Sequence, residues 1–283
     1  MIHEYLLQFL TLISIYIIAV ISLNLAIGFT GLLNLGHMVF FGIGAYTSAI
    51  LTLHGMPWYI AIFIAGLTAS ILGIIIAGIT SKLKGDYLAM VTLGLVFIAI
   101  AVSRNWSSLT RGALGLPGVP DIVRNNFHYM IFTLMISAFC ALIFYRLVNS
   151  ETGKIFQAIR DDETAAAILG KNTYFYKILS VAISTFFAGI AGSLFVHHIN
   201  FVDPTIFELE FSIMILAMLI AGGLGSIKGS IAGVFVLSIL SESVRFISFS
   251  PALLGAFRDM VFAVALIAIL LFKPRGVFGK VDV

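Results

Sequence analysis

Residues 153–177, GKIFQAIRDDETAAAILGKNTYFYK, gather three lysines, one arginine, two aspartates and one glutamate in an otherwise apolar chain. Arg160, Asp161, Asp162 and Glu163 precede Thr164, Ala165, Ala166 and Ala167, and Gly170 follows. Alanines are strong helix formers and a glycine is a natural terminator, so IFQAIRDDETAAAILG reads as helical. On one or two short helices, Ile155, Ile159, Ala165, Ala166 and Leu169 form a narrow apolar face. Arg160, Asp161, Asp162 and Glu163 then sit on the exposed part. A short helix with an alanine-lined flank suits insertion into a groove on another protein. Its charges would set register and partner choice more than affinity. The same residues also suit an ordinary solvated connector, and composition leaves both readings open.

Other polar side chains lie inside apolar segments. Asn24, Asn34, His37 and Tyr46 together make a polar cavity conceivable. An ionisable residue at membrane depth is a functional candidate by default, while a lone neutral histidine also serves as a hydrogen-bond partner between helices. Gly225, Gly229 and Gly233 recur at steps of four, which on a helix is one face. Such faces let backbones approach closely; broken helices lining a pathway are the other reading. His197 and His198 are adjacent and therefore point to different sides of a helix. Cys140 is the single cysteine, so neither an internal disulfide nor a thiolate metal cage can form. The sequence has no Gly-x-x-x-x-Gly-Lys-Ser/Thr loop, hence no phosphate cradle of that kind. It has no Glu–His cluster and no Ser–Lys pairing at depth, which leaves an intramembrane enzyme without support.

The elements that must position these residues are membrane helices. Of 283 residues, 60% are hydrophobic and 10% charged, against about 25% charged in a soluble domain. No Asp, Glu, Lys or Arg occurs from Tyr5 to Ser81. A membrane helix needs ~20 apolar residues, so that stretch alone holds three spans. The fold class is all-α, a polytopic transmembrane helical bundle in one domain over 1–283. A β-barrel would instead show short segments of alternating polarity. Apolar segments fall at 5–27, 31–53, 57–81, 87–104, 127–149, 174–199, 209–225, 229–247 and 252–272, about nine spans in all. The start, MIHEYLLQFL, lacks a basic n-region, so the first segment reads as a span that stays.

Nine spans put Lys82, Lys84, Arg146, Lys154, Arg160, Lys171, Lys177, Lys228, Lys273, Arg275 and Lys280 on one side, eleven of the sixteen basic residues. That side is expected to be cytoplasmic. Arg104, Arg111, Arg124, Arg245 and Arg258 fall on the other. The C-terminus is then inside and the N-terminus outside. The 150–172 loop is cytoplasmic, and 104–126, rich in Gly and Pro, is a structured external loop. The basic residues follow membrane sidedness, so nucleic acid is not expected as a partner; membrane lipid is.

IRDDETAAAILG resembles the cytoplasmic loop of ABC importer permeases, whose motif is Glu-Ala-Ala, three residues, then Gly. Ala165, Ala166 and Gly170 match in spacing, while Thr164 stands at the Glu position and Glu163 one place early. GLLNLGHMVFFGIGAYTSA, LKGDYLAMVTLGL, SLTRGALGLPGVP, AGIAGSLF, GGLGSIKGSIAG and LLFKPRGVFG, in this order, resemble the LivM-type permease of branched-chain amino acid importers. The resemblance implies a non-catalytic permease subunit of the inner membrane, paired with a LivH-like second permease. It also implies two ATPase subunits, which would bind the ATP and magnesium, and an external substrate-binding protein. The 153–170 helix would be the coupling helix. The 104–126 loop and the 200–208 region, with Asp203, Glu208 and Glu210, would meet the binding protein. One departure stands out: Val96, Phe97, Ile98, Ala99 and Ile100 occupy a stretch where this branch commonly has a Gly-Glu-Ile-Val-Arg-like sequence. The branch also includes carriers of urea and short amides, so substrate stays open. An ion-coupled secondary transporter is the alternative of another class. It would need intramembrane Asp, Glu or Arg, for which Glu242, Arg245, Arg258 and Asp259 are the candidates.

Overall fold

A computed structural model describes residues 2–83, 85–123, 125–243, 251–273 and 275–279. The helices are α1 (Ile2–Asn24), α2 (His37–Leu53), α3 (Trp58–Thr80), α4 (Asp86–Asn105), the short α5 (Ser107–Thr110), α6 (Asn126–Asn149), α7 (Glu151–Asp161), α8 (Glu163–Ile168), α9 (Thr173–Ile199), α10 (Leu209–Gly222), α11 (Ile227–Ser243) and α12 (Pro251–Phe272). A π-helical turn, Leu25–Phe29, prolongs α1. The only pairing of strands among the described residues is two residues long: β1 (Leu116–Pro117) runs antiparallel to β2 (Phe201–Val202), with Leu116 opposite Val202.

The polytopic helical bundle stands, while a count of nine spans is not confirmed among the described residues. Among the described residues, five helices are long and apolar enough to cross a membrane, and six if α10 and α11 count as one. Those two meet at a bend of 119°. At ~1.5 Å rise per residue, the 14 residues of α10 cover ~21 Å of a hydrocarbon core ~30 Å thick. The second expected segment, 31–53, also shortens. Residues 31–36 are not helical, and α2 keeps 17 residues.

The bundle centres on α9, which packs against α1, α2 and α3. The reason is written in α3: Ala61, Ala65, Ala69, Gly73 and Ala77 are buried at steps of four, while Leu67, Ile71, Ile75 and Ile79 are exposed. The small face lets α9 come close, since membrane helices associate by backbone approach and dispersion. The large apolar face points out of the bundle.

Two ends of the bundle are distinguishable by their contacts. At one, α7 and α8 lie beside the π-helical turn and the start of α9. The Val277 and Phe278 amides donate to the carbonyls of Ala221 and Gly222, 3.0 and 2.9 Å away, which closes the end of α10. At the opposite end, Asn126 donates to the Glu4 carboxylate at 2.9 Å, and Arg104 pairs with Glu208 at 3.2 Å. The N-terminus thus shares an end with the 104–126 loop. Lys84, Arg124, Arg245 and Lys280, which entered the charge distribution, lie outside the described residues, and of Arg258 only the backbone is described.

Candidate functional site

The charged stretch folds as two helices broken at Asp162, each with its own cap. Ser150 accepts from the Gly153 amide at 3.3 Å to start α7. The Asp162 carboxylate accepts from the amides of Thr164 and Ala165, at 2.8 and 3.1 Å, to start α8. Gly170, at φ +79°, ends α8 in the left-handed conformation that a Cβ would strain. Phe156 and Ile159 point into the protein and are buried, as is Ala166, which is 3% exposed. Ala165 is exposed, and Ile168 and Leu169 stand out at 86% and 77%. The apolar face expected on one side is therefore divided. Ile159 and Ala166 hold the loop to its own bundle, and Ala165, Ile168 and Leu169 face away from it.

Two of the expected surface charges are turned inward. Arg160 Nη1 donates to the Gly28 carbonyl at 2.8 Å, and the same guanidinium pairs with Asp161 at 2.8 Å. Glu163 pairs with Lys177 at 2.7 Å, and the Lys177 ammonium also donates to the Ser81 carbonyl. Lys177 is buried, so a charge in the first turns of α9 is neutralised from α8 and from the end of α3. A buried cation needs such pairing to be tolerated at all. Asp161 and Thr164 are exposed; Thr164 Oγ1 donates to Asp162.

The π-helical turn is where Arg160 meets the core of the bundle. Thr30 Oγ1 donates to Leu25 O at 2.8 Å and lies in hydrogen-bond contact with Ser180 Oγ at 2.6 Å. One turn earlier, Asn24 is fully buried and bridges to the bend between α10 and α11. Its Nδ2 donates to Ser226 O at 3.1 Å and Ser230 Oγ at 2.7 Å, and its Oδ1 accepts from Gly225 N at 3.0 Å. Gly28 permits this: a Cβ there would lie 1.8 Å from Asn24 Oδ1 and 2.5 Å from Gly225 N. π-turns inside α-helices occur frequently at functional sites. Arg160 and the α10–α11 bend are thus both anchored on the same stretch of α1 and its π-turn, at Gly28 and at Asn24 four residues earlier.

The glycines expected on one helical face separate into two jobs. Gly229 and Gly233 pack α11 onto α10; a Cβ at Gly233 would lie 2.1 Å from the Met218 carbonyl, and one at Gly229 2.6 Å from that of Gly222. Gly225 precedes α11 and turns the chain at φ +71°. It is outside the helical face because the helix starts two residues later.

The four polar residues expected to share a cavity do not all do so. Asn34 and His37 line one cavity, whereas Asn24 is in the bridge just described. Tyr46 stacks on Phe207 at 5.7 Å near the loop end. His37 Nε2 lies 3.0 Å from Ser22 Oγ, and Asn34 Oδ1 accepts from Gly36 N at 3.0 Å. His197 binds Ser48 and the Pro120 carbonyl, while His198 stacks on Tyr129, so the adjacent pair does diverge. Of the expected rim acids, Glu208 pairs with Arg104 and Asp203 caps the turn Pro204–Phe207. The serines that tie α1 to its neighbours escaped sequence reading: Ser22, Ser180, Ser184 and Ser230. Serine at a helix contact looks like any small residue. Lys177 was legible as the lone charge among the first residues of an apolar helix.

Comparison with known proteins accords with this arrangement. The family model described as "Branched-chain amino acid transport system / permease component" matches residues 5–270. The high-affinity branched-chain amino acid transport system permease protein LivM of Escherichia coli (strain K12) is 30% identical over 298 residues, covering 94% of this chain and 68% of that protein. The probable branched-chain amino acid transport permease protein LivM of Methanocaldococcus jannaschii is 26% identical, covering 94% and 91%. The corresponding permease protein LivH of Salmonella typhimurium is 28% identical, covering 96% and 94%. Among solved structures, PsaBC from Streptococcus pneumoniae in complex with Fab aligns at a TM-score of 0.51 over 96% of this chain and 93% of that one, with 18% identity, a likeness of fold alone. A family match across nearly the whole chain, on a helical bundle of this kind, makes the protein a member of the permease components of branched-chain amino acid transport systems.

Proposed function

We propose that this chain is one of two permease subunits of an inner-membrane ABC importer that carries branched-chain amino acids. Its partners are a LivH-like second permease, two ATPase subunits that bind ATP and magnesium, and an external substrate-binding protein. The chain is itself non-catalytic. The C-terminal end, with α7, α8 and most of the lysines, is the cytoplasmic one; the N-terminus and the 104–126 loop are external.

The observation that carries the reading is the two-sided character of α8. Its outer side offers Ala165, Ile168 and Leu169 to a partner, with Asp161 nearby to set register. Its inner side is locked to the bundle through Glu163–Lys177, and the adjoining α7 through Arg160–Gly28. A helix held stiffly from within and apolar without is what transmission of movement from a separate motor requires. Closure of the ATPase dimer would displace α7–α8, and the π-turn and α10–α11 bend would move with it, switching the bundle between outward and inward openings.

Reconstitution tests this. The four kinds of subunit in proteoliposomes, supplied with loaded binding protein, are expected to accumulate labelled leucine only when ATP is enclosed with the ATPases. Uptake driven by a proton or sodium gradient without ATP would refute it.

A further inference from the structure

The cavity lined by Asn34 and His37 has features that helix packing does not account for. It is a partly open pocket of about 210 Å³ among α1, α2, α4 and α10, with Leu23, Leu93 and Leu216 in its lining. A water occupies ~30 Å³ of liquid, so the void matches several waters or one branched side chain. Nearly all its surface is apolar, yet two buried polar residues are among its lining: His37 of α2, 2% exposed, and Ser212 of α10, 7% exposed. His37 Nδ1 and Ser212 Oγ have no hydrogen-bond partner. Buried polar atoms are almost always paired, and each exception calls for a reason.

One placement of hydrogens satisfies both partners of Ser22 Oγ and gives each orphan a role. Ser22 Oγ donates to Ala19 O at 2.8 Å, so toward His37 Nε2 it accepts. The neutral imidazole then carries its hydrogen on Nε2, and Nδ1 is a bare acceptor. Ser212 keeps a hydroxyl able to donate. Asn34 Oδ1 is engaged by Gly36 N, so what that side chain adds is its amide N–H groups. An acceptor, two donors and an aliphatic lining in one cavity match one kind of solute. We infer that this cavity is a transient binding station within the membrane for a zwitterionic α-amino acid with an aliphatic side chain. His37 Nδ1 takes the ammonium, Ser212 and Asn34 take the carboxylate, and the leucine-lined chamber takes the hydrocarbon. Urea and short amides have no hydrocarbon to fill the chamber. The inference rests on the proposed function and assigns residues to it.

The test uses the complete importer in proteoliposomes. Ser212→Ala deletes an unpartnered hydroxyl and leaves the apolar walls in place, so the fold should survive it. Leu216→Phe narrows the chamber. Ser243→Ala, on an exposed position of α11, is the control. At saturating loaded binding protein, Ser212→Ala is expected to slow leucine uptake about tenfold through loss of a hydrogen bond to a charged group. Leu216→Phe is expected to shift preference from leucine toward alanine, which a purely structural role would not do. In a Ser212→Cys complex, leucine should shield the new thiol from a water-soluble thiol reagent and urea should not. Wild-type complex that imports leucine, with Ser212→Ala and Leu216→Phe matching it in rate and selectivity and no shielding, overturns this assignment alone. Wild-type complex that imports no aliphatic amino acid overturns the functional reading and this inference with it.

Discussion

Arg160 on α7 and Gly28 in the π-turn of α1, 132 positions apart in sequence, are joined by a 2.8 Å hydrogen bond from guanidinium to carbonyl. Four residues before Gly28, Asn24 holds the bend between α10 and α11. On the proposed function, a push on α7 would reach the α10–α11 bend through the backbone of this turn. Replacing Arg160 by Ala removes a charge-assisted bond worth ~1.5–3 kcal/mol. The complex is expected to assemble and hydrolyse ATP while leucine uptake per ATP falls about tenfold, as the loss of that bond energy from the coupling would dictate. The ratio of uptake to hydrolysis in one preparation measures it; an unchanged ratio would remove Arg160 from the route.

Glu163 and Lys177 differ from surface ion pairs. Lys177 is 6% exposed at its side chain and Glu163 26%. Removing Glu163 leaves a buried ammonium with a single carbonyl partner, so Glu163→Ala should destabilise the protein by about 2 kcal/mol, less than a fully buried pair would lose. Glu163→Ala combined with Lys177→Met should regain most of that loss. Thermal unfolding of the purified protein across the double-mutant cycle decides it, and additivity of the two changes would argue that the pair carries no coupling.

The exposed flank of α8 makes a positional prediction. Ile168→Glu and Leu169→Glu should insert normally but no longer co-purify with the ATPase subunits. Ala165→Arg should do the same. Ala166→Arg should act differently: its position is closed by the bundle, so the loop itself should unfold and become sensitive to protease added from the cytoplasmic side. Equal protease resistance in Ala165→Arg and Ala166→Arg would contradict this division of the helix.

The contact between α10 and α11 leaves no room for a side chain. Gly233→Leu places carbon against the Met218 carbonyl and should cost about 3 kcal/mol or more. Gly255→Ala in α12, where a Cβ would meet nothing, should be neutral. Melting temperatures in detergent compare the two.

Helix positions were legible because a membrane span must be one continuous apolar run. The segments 57–81, 87–104, 127–149 and 174–199 correspond to Trp58–Thr80, Asp86–Asn105, Asn126–Asn149 and Thr173–Ile199. Helix ends within apolar runs were not, because hydropathy does not register a break. GLLNLG at 31–36 is as apolar as a helix yet is non-helical, and Gly225 reads as helical spacing yet forms a turn. The buried stripe Ala61, Ala65, Ala69, Gly73 and Ala77 lay open to the same small-residue reasoning that singled out Gly229 and Gly233. The links among Arg160, Gly28, Asn24 and Ser226 were beyond reach of sequence. They join side chains to backbone groups of distant segments, and only the packed bundle says which carbonyl lies near which donor.

Crosslinking from the exposed rod tests the account most directly. With Cys140→Ala removing the one native cysteine, Ile168→Cys supplies a single thiol on the outer face of α8. In membranes holding the whole importer, a short thiol crosslinker is expected to join this position to the ATPase subunit, and bound nucleotide to change the yield. A crosslink that never reaches the nucleotide-hydrolysing subunit, or a thiol that reacts only from the external side, would contradict it.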